Sequence, residues 1–373
     1  MQLQTLQLVN YKNYAEVKID FGSKINVLVG KNGSGKTNLL DAIYFLALTK
    51  SAVTGADNFC IRHGEQHLFL KGLFKQPKGL VEISAALQIG SKKIIKEGVN
   101  EYQKLSDHIG KYPVVLIAPH DTDLVKEGSE SRRKFFDSMI SQLDRSYLES
   151  LIQYNHVLRQ RNSLLKLFSE SHSFDSIALD TYDQVLIQLG TQVFDKRNLF
   201  VTEFAPLFKR FYNYIVADEA AAIAYTSELS GTKYEEGLQN TRQRDLYLQR
   251  TTFGIHRDDY QFALGSGDLK RLGSQGQQKS FIIALKLAQF EIIKRHKQFK
   301  PLLLLDDIFD KLDDFRIEKL LELIKNDELG QLFLTDARPD RTGQLLKKIQ
   351  VASSVFSVEK GIIEPYAQQA FKK

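Results

Sequence analysis

Gly30–Lys31–Asn32–Gly33–Ser34–Gly35–Lys36–Thr37 fits the phosphate-loop pattern G-x-x-x-x-G-K-[ST]. Its flanks give the match meaning. Lys24–Ile25–Asn26–Val27–Leu28–Val29 before it is an apolar-rich run of strand length. Asn38–Leu39–Leu40–Asp41–Ala42–Ile43–Tyr44–Phe45–Leu46–Ala47 after it spaces its apolar residues as a helix does. Strand, glycine loop and helix form the context that such a loop requires. Gly33 and Gly35 let the backbone turn its N–H groups inward around phosphate oxygens, and a helix starting near Lys36 adds its positive dipole end. The pattern predicts that Gly30, Lys31, Asn32, Gly33, Ser34, Gly35, Lys36 and Thr37 hold a nucleoside triphosphate. Lys36 reaches the β- and γ-phosphates, and the Thr37 hydroxyl coordinates Mg²⁺.

A phosphate loop needs an acidic partner at the end of a buried strand. Pro301–Leu302–Leu303–Leu304–Leu305 closes on Asp306–Asp307, and four consecutive leucines point to a strand covered on both faces. Asp306 is therefore the expected metal ligand beside Thr37. Asp307 is the expected group that orients or deprotonates an attacking water.

The chain has 373 residues, enough for about two domains. Its 43% hydrophobic and 26% charged residues are ordinary for a globular protein. A net charge of +6 leans mildly toward an anionic partner. With one cysteine, Cys60, the chain has no internal disulfide and no cysteine cluster for zinc. No basic segment followed by an apolar core opens the sequence. No apolar run approaches the roughly 20 residues of a membrane span. The expectation is a cytoplasmic protein without a membrane partner.

Residues 1–21 alternate at strand spacing around Asn10–Tyr11–Lys12–Asn13–Tyr14, which predicts a hairpin. Residues 59–99 read as further antiparallel strands, and Tyr112–Ala118 as a buried parallel strand. From about Ser129 to Tyr214 the pattern becomes helical, with basic clusters at Arg132–Arg133–Lys134, Arg159–Gln160–Arg161 and Lys209–Arg210. Any one such cluster is more often a solvated helix face than a binding site. Residues 218–246 are polar and read as an exposed connection with some helix. Ser280–Ile293 is a strong helix, and Gln331–Leu334 a strand closed by Thr335–Asp336. The organisation predicted is an α/β ATPase, 1–128 and 247–373, interrupted by a helical domain over 129–246.

Leu272–Gly273–Ser274–Gln275–Gly276–Gln277–Gln278–Lys279–Ser280 narrows the class. It resembles the signature motif of the ABC and SMC-like ATPases, with Ser274, Gly276 and Gln277 matching and Gln275 in place of a glycine. In that superfamily the motif caps the γ-phosphate held by a second subunit, which implies two ATPs sandwiched in a head-to-tail homodimer. Asp310–Lys311–Leu312–Asp313 resembles the D-loop, which adds Asp313 to the nucleotide-binding set. Thr335 stands where many members have a switch histidine, and Asp307 where they have glutamate. The shorter acid implies slow hydrolysis.

Across its length the chain is similar to the RecF family of bacterial recombination-repair ATPases. The resemblance rests on the phosphate loop, Ala118–Pro119–His120–Asp121, Arg132–Arg133, Phe136–Asp137, Gly254–Ile255–His256–Arg257–Asp258–Asp259, the signature stretch and Leu303–Asp307. It implies an ABC/SMC-like P-loop ATPase head with an antiparallel β subdomain and an inserted α-helical domain. It also implies an ATP- and Mg²⁺-dependent protein of DNA replication, the DNA-damage (SOS) response and recombinational repair. An ATP-driven dimer would bind duplex DNA near single-strand gaps and, with RecR and RecO, help load RecA. A weak, DNA-dependent ATPase built on Lys36 and Asp307 would reset it. The basic residues of the insert would supply phosphate contacts.

Two other classes fit less well. A transporter ATPase subunit calls for the glutamate, the switch histidine and a chain much shorter than the 270 residues from Lys36 to Asp306. An ATP-gated nuclease needs a further metal-dependent domain, and only 60 residues follow Asp313.

Overall fold

The computed structural model describes residues 1–216, 219–309 and 314–366. The chain divides into two compact units, 1–121 with 282–373, and 122–281. The sequence boundaries at 128 and 246 differ from these, since residues 247–281 pack with the helical unit.

In the first unit, β1 (Gln2–Tyr11) and β2 (Tyr14–Asp20) form the antiparallel hairpin, with Asn10 and Lys12 at positive φ in its turn. The chain then enters β3 (Ile25–Val29), the phosphate loop and α1 (Lys36–Leu48). β4 (His67–Gln76), β5 (Gly79–Gln88), β6 (Ile94–Glu97) and β7 (Asn100–Glu101) follow. They extend the hairpin into a sheet of order β2-β1-β4-β5-β6-β7. Its strands alternate buried and exposed, as a sheet with one covered face must. β8 (Val114–Ile117) completes this part.

The second unit contains α2 (Asp123–Lys126), α3 (Ser129–Leu143), α4 (Arg145–Ser171) and α5 (Ser176–Ile215). Asp144 and Asp175 cap α4 and α5 by accepting the N–H of Tyr147 and Ala178. β9 (Ala221–Thr226) and α6 (Tyr234–Leu248) occupy the stretch that reads as a polar connection. β9 pairs with β10 (Asp259–Leu264), which turns into β11 (Gly267–Asp268), so 247–281 belongs with the helices through a three-stranded sheet. α7 (Leu269–Leu272) follows.

α8 (Gln275–Lys297) leads to β12 (Leu302–Leu305), α9 (Asp314–Lys325), β13 (Leu332–Asp336), α10 (Pro339–Ile349), β14 (Ser353–Glu359) and β15 (Ile362–Pro365). The central sheet of the first unit has the order β15-β14-β3-β13-β12-β8, parallel except for β15. β3, β12 and β13 are buried at every position, which is why they read as mainly apolar runs. A leucine as buried as Leu304 is worth about 2–5 kcal/mol against alanine. β13 lies between β3 and β12, so the carboxyl ends of these three strands converge, where open α/β sheets bind ligands.

Candidate functional site

The phosphate loop leaves β3 at Gly30, where a Cβ would lie 2.3 Å from the Val358 carbonyl oxygen, so a side chain has no room. Gly33 (φ 79°) and Gly35 (φ 117°) are left-handed, the conformation that lets successive N–H groups face one concavity. Lys36 opens α1. Its ammonium is folded back on the loop, donating to the carbonyls of Gly30 (2.8 Å) and Lys31 (3.2 Å). Lys31, Asn32 and Gly33 are exposed. The Ser34 hydroxyl is buried with no hydrogen-bond partner among the described residues, which leaves a donor at the loop for an anion.

The β1–β2 turn braces this loop. Tyr14 donates its hydroxyl proton to the Gly35 carbonyl at 2.9 Å. Asn13 donates to the Ser34 carbonyl at 3.2 Å and accepts from Asn38 at 2.7 Å. Lys12 pairs at 2.6 Å with the buried Asp41 on α1. Sequence reasoning took 10–14 only as a turn; the two asparagines and the tyrosine carried no motif.

Asp306 follows β12 and is 5% exposed. The Thr37 hydroxyl lies 3.0 Å from both of its carboxylate oxygens, so the loop and the acidic strand meet. Thr335, at the end of β13, donates to Asp306 Oδ1 at 2.8 Å. Burial pushes the Asp306 carboxyl above the usual range; the hydroxyls of Thr335 and Thr37 pull it down, and Asp307 pushes it up again. Asp306 has no ion pair among the described residues. A buried carboxylate beside a threonine hydroxyl is a donor set suited to a hard divalent cation, with phosphate and water oxygens completing the shell. Among the described residues no cluster of three or more His, Cys, Asp or Glu offers a competing metal site.

Asp307 adopts φ 42°, unlike the strand before it, and its N–H donates to Thr335 Oγ1 at 2.8 Å. Its side chain is only partly buried. At the end of the neighbouring β8, Asp121 accepts the Ala118 N–H at 2.6 Å and pairs with Lys286 of α8 at 2.7 Å.

The signature stretch lies in the other unit. Ser274 is exposed and caps α8 reciprocally: its hydroxyl accepts the Gln277 N–H at 3.2 Å, and Gln277 Oε1 accepts the Ser274 N–H at 2.8 Å. This is a capping box, and it leaves the helix N-terminus with its dipole end toward solvent. Gly276 is the second helical residue, and Gln277 also donates to Glu219 at 2.9 Å. Asp313 and the rest of Asp310–Asp313 lie outside the described residues.

One expectation needs correction. Arg161, grouped by sequence with surface basic residues, is fully buried; it pairs with Asp183 at 2.6 Å and Asp245 at 2.7 Å. It holds α4, α5 and α6 together and does not face a nucleic acid. Arg132 is likewise engaged, in a two-pronged pair with Asp259.

The RecF/RecN/SMC N terminal domain family matches residues 2–364. The DNA replication and repair protein RecF of Flavobacterium johnsoniae is 45% identical over 359 residues, 96% of this chain and 100% of that protein. The protein of the same name from Cytophaga hutchinsonii is 42% identical, covering 98% of this chain and 97% of its own. A solved structure of the recombination mediator protein RecF-ATP in the RecFOR pathway superposes with a TM-score of 0.89 at 27% identity, covering 98% of each chain. The Smc head domain of Pyrococcus furiosus shares the fold, with a TM-score of 0.58 at 16% identity over 98% of this chain and 96% of that one.

Proposed function

Because the chain belongs to the RecF family of DNA replication and repair proteins, with an ABC/SMC-like ATPase fold, we propose that it is an ATP-operated, DNA-binding switch of recombinational repair. The meeting of Thr37 with Asp306, under the hydroxyl of Thr335, is the observation that carries this reading. It brings together the phosphate loop, two oxygen donors suited to a metal and, one residue on, a candidate base, which supports the reading.

In this reading the N–H groups of residues 30–37 and the α1 dipole receive the triphosphate. Lys36 exchanges its two loop carbonyls for the β- and γ-phosphates. Thr37 and Asp306 hold Mg²⁺, which supplies charge neutralisation on the phosphates. Asp307 accepts a proton from the attacking water. Ser274, Gly276 and Gln277 have no part in binding their own chain's nucleotide. Their exposed helix N-terminus serves the γ-phosphate of a second copy, with Asp313 at the same interface. ATP thereby closes a homodimer on duplex DNA beside single-strand gaps. RecR and RecO join it there to load RecA, and slow hydrolysis releases the DNA. No described helix is long and apolar enough to cross a membrane, which is compatible with a cytoplasmic site of action.

Sedimentation velocity of the purified protein, with and without ATP and with and without duplex DNA, tests the reading. The expected result is a dimer only with ATP, and a faster-sedimenting complex when DNA is added. A sedimentation coefficient that ignores ATP would overturn it.

A further inference from the structure

Gly254–Ile255–His256–Arg257–Asp258–Asp259 takes no part in the nucleotide chemistry, yet much of the second unit is tied to it. Gly254 has φ 129°, and a Cβ there would lie 2.2 Å from the Tyr234 hydroxyl, so only glycine fits. A single 3₁₀ turn, Ile255–Arg257, follows and is closed by the Arg257 N–H donating to the Gly254 carbonyl at 2.8 Å. Both ring nitrogens of His256 are engaged, Nδ1 at 2.9 Å from the Tyr154 hydroxyl and Nε2 at 3.0 Å from the Thr251 carbonyl. Asp258 is buried; it accepts from Arg197 at 2.8 Å and from the Tyr225 hydroxyl. Arg197 also grips Asp137 at 2.9 and 3.0 Å and the Ile255 carbonyl at 2.8 Å. Arg133 donates to the Asp258 carbonyl at 2.6 Å, and Asp259 is held by Arg132.

The charges in this network balance: Arg132, Arg133 and Arg197 face Asp137, Asp258 and Asp259. Arg257 is the exception. It is exposed, and among the described residues its guanidinium has neither an ion pair nor a hydrogen bond. Its flanking acids are turned inward and neutralised, so the surplus positive charge of the turn sits on this one side chain. The turn beneath it is fixed by a glycine-only backbone and by ion pairs from two helices, α3 and α5. A guanidinium displayed in this way is preorganised for an oxyanion, which its planar fork binds with two parallel hydrogen bonds.

We propose that Arg257 contacts a backbone phosphate of duplex DNA. The proposal rests on the reading of the protein as a DNA-binding switch, and it names a position at which the DNA is gripped. A contact to a phosphate carries no sequence information, so it contributes affinity rather than sequence preference.

The test is equilibrium binding of a duplex oligonucleotide with ATP present, between about 50 and 200 mM salt, by wild type, Arg257→Ala and Arg257→Lys. Arg257→Ala is expected to bind about tenfold more weakly at low salt, with a log–log salt slope shallower by about 1. Arg257→Lys, which keeps the charge, is expected to keep the wild-type slope. Thermal midpoint and ATP affinity should match wild type in both variants. Normal DNA binding by wild type, with an unchanged affinity and slope in Arg257→Ala, would overturn this assignment alone. Absence of DNA binding by wild type would overturn the functional reading with it.

Discussion

Thr335 Oγ1 lies 2.8 Å from Asp306 Oδ1 and spends its one proton on that carboxylate. Its lone pair takes the Asp307 N–H at 2.8 Å. The Asp307 carboxylate, 3.4 Å away, therefore receives no proton from it. One hydroxyl thus fixes the Asp306 carboxylate and the backbone of the next residue together. Thr335→Val removes both bonds while keeping the shape. It is expected to leave ATP affinity within a few-fold and to slow hydrolysis about tenfold, the worth of a buried hydrogen bond or two. Thr335→Ser should restore the rate, and single-turnover hydrolysis compares the three.

Lys36→Met removes the buried ammonium group of the phosphate loop, which donates to two loop carbonyls. Titration with a fluorescent ATP analogue should show affinity reduced by at least about tenfold, since a bond to a charged group is worth about 1.5–3 kcal/mol. Wild-type affinity would mean that the loop binds triphosphate without it.

Ser274→Arg places a bulky cation at the exposed α8 N-terminus. Monomeric ATP binding should stay close to wild type, because Ser274 is proposed to serve the partner's nucleotide. The ATP-induced dimer should disappear in light scattering. A dimer of undiminished strength would place Ser274 away from the interface.

His108 is fully buried, stacked on Tyr112 at 5.3 Å, with Nε2 2.7 Å from the Leu46 carbonyl. Burial lowers its pKa to about 4. The unfolded chain takes up this proton near pH 6.5 and the folded chain only near 4. The stabilising share is therefore whole above about pH 6.5 and lost as pH falls toward 4, on the order of 3 kcal/mol in all. Urea unfolding of His108→Phe between pH 7 and 4 should show a shallower pH dependence than wild type. An identical dependence would mean that His108 titrates normally.

The central sheet was legible because β3, β12 and β13 are covered on both faces, which makes them mainly apolar, and because Asp306 sits where the leucines stop. β9 escaped notice for the opposite reason. Ala221–Ala222–Ile223–Ala224 has little strand preference of its own, and pairing with β10 makes it a strand. Arg161 looked like surface charge because its partners, Asp183 and Asp245, are far along the chain and adjacent only in the fold. The Asn13 and Tyr14 brace on the phosphate loop likewise exists only once the hairpin is folded over it.

The central claim is that hydrolysis at Asp307 times the release of DNA. Asp307→Asn measures it most directly: ATP turnover and dissociation from duplex DNA after dilution of ATP, in the same preparation. The amide keeps the side chain's size but cannot take a proton from water, so turnover should fall, by up to about 10²–10⁴-fold if Asp307 acts as a full general base. Mg·ATP should stay bound through the proposed ligands Thr37 and Asp306, so the closed dimer should remain on DNA correspondingly longer. Slow turnover with slow dissociation is the predicted result. Slow turnover with wild-type dissociation would contradict the account, because DNA would then leave without waiting for hydrolysis.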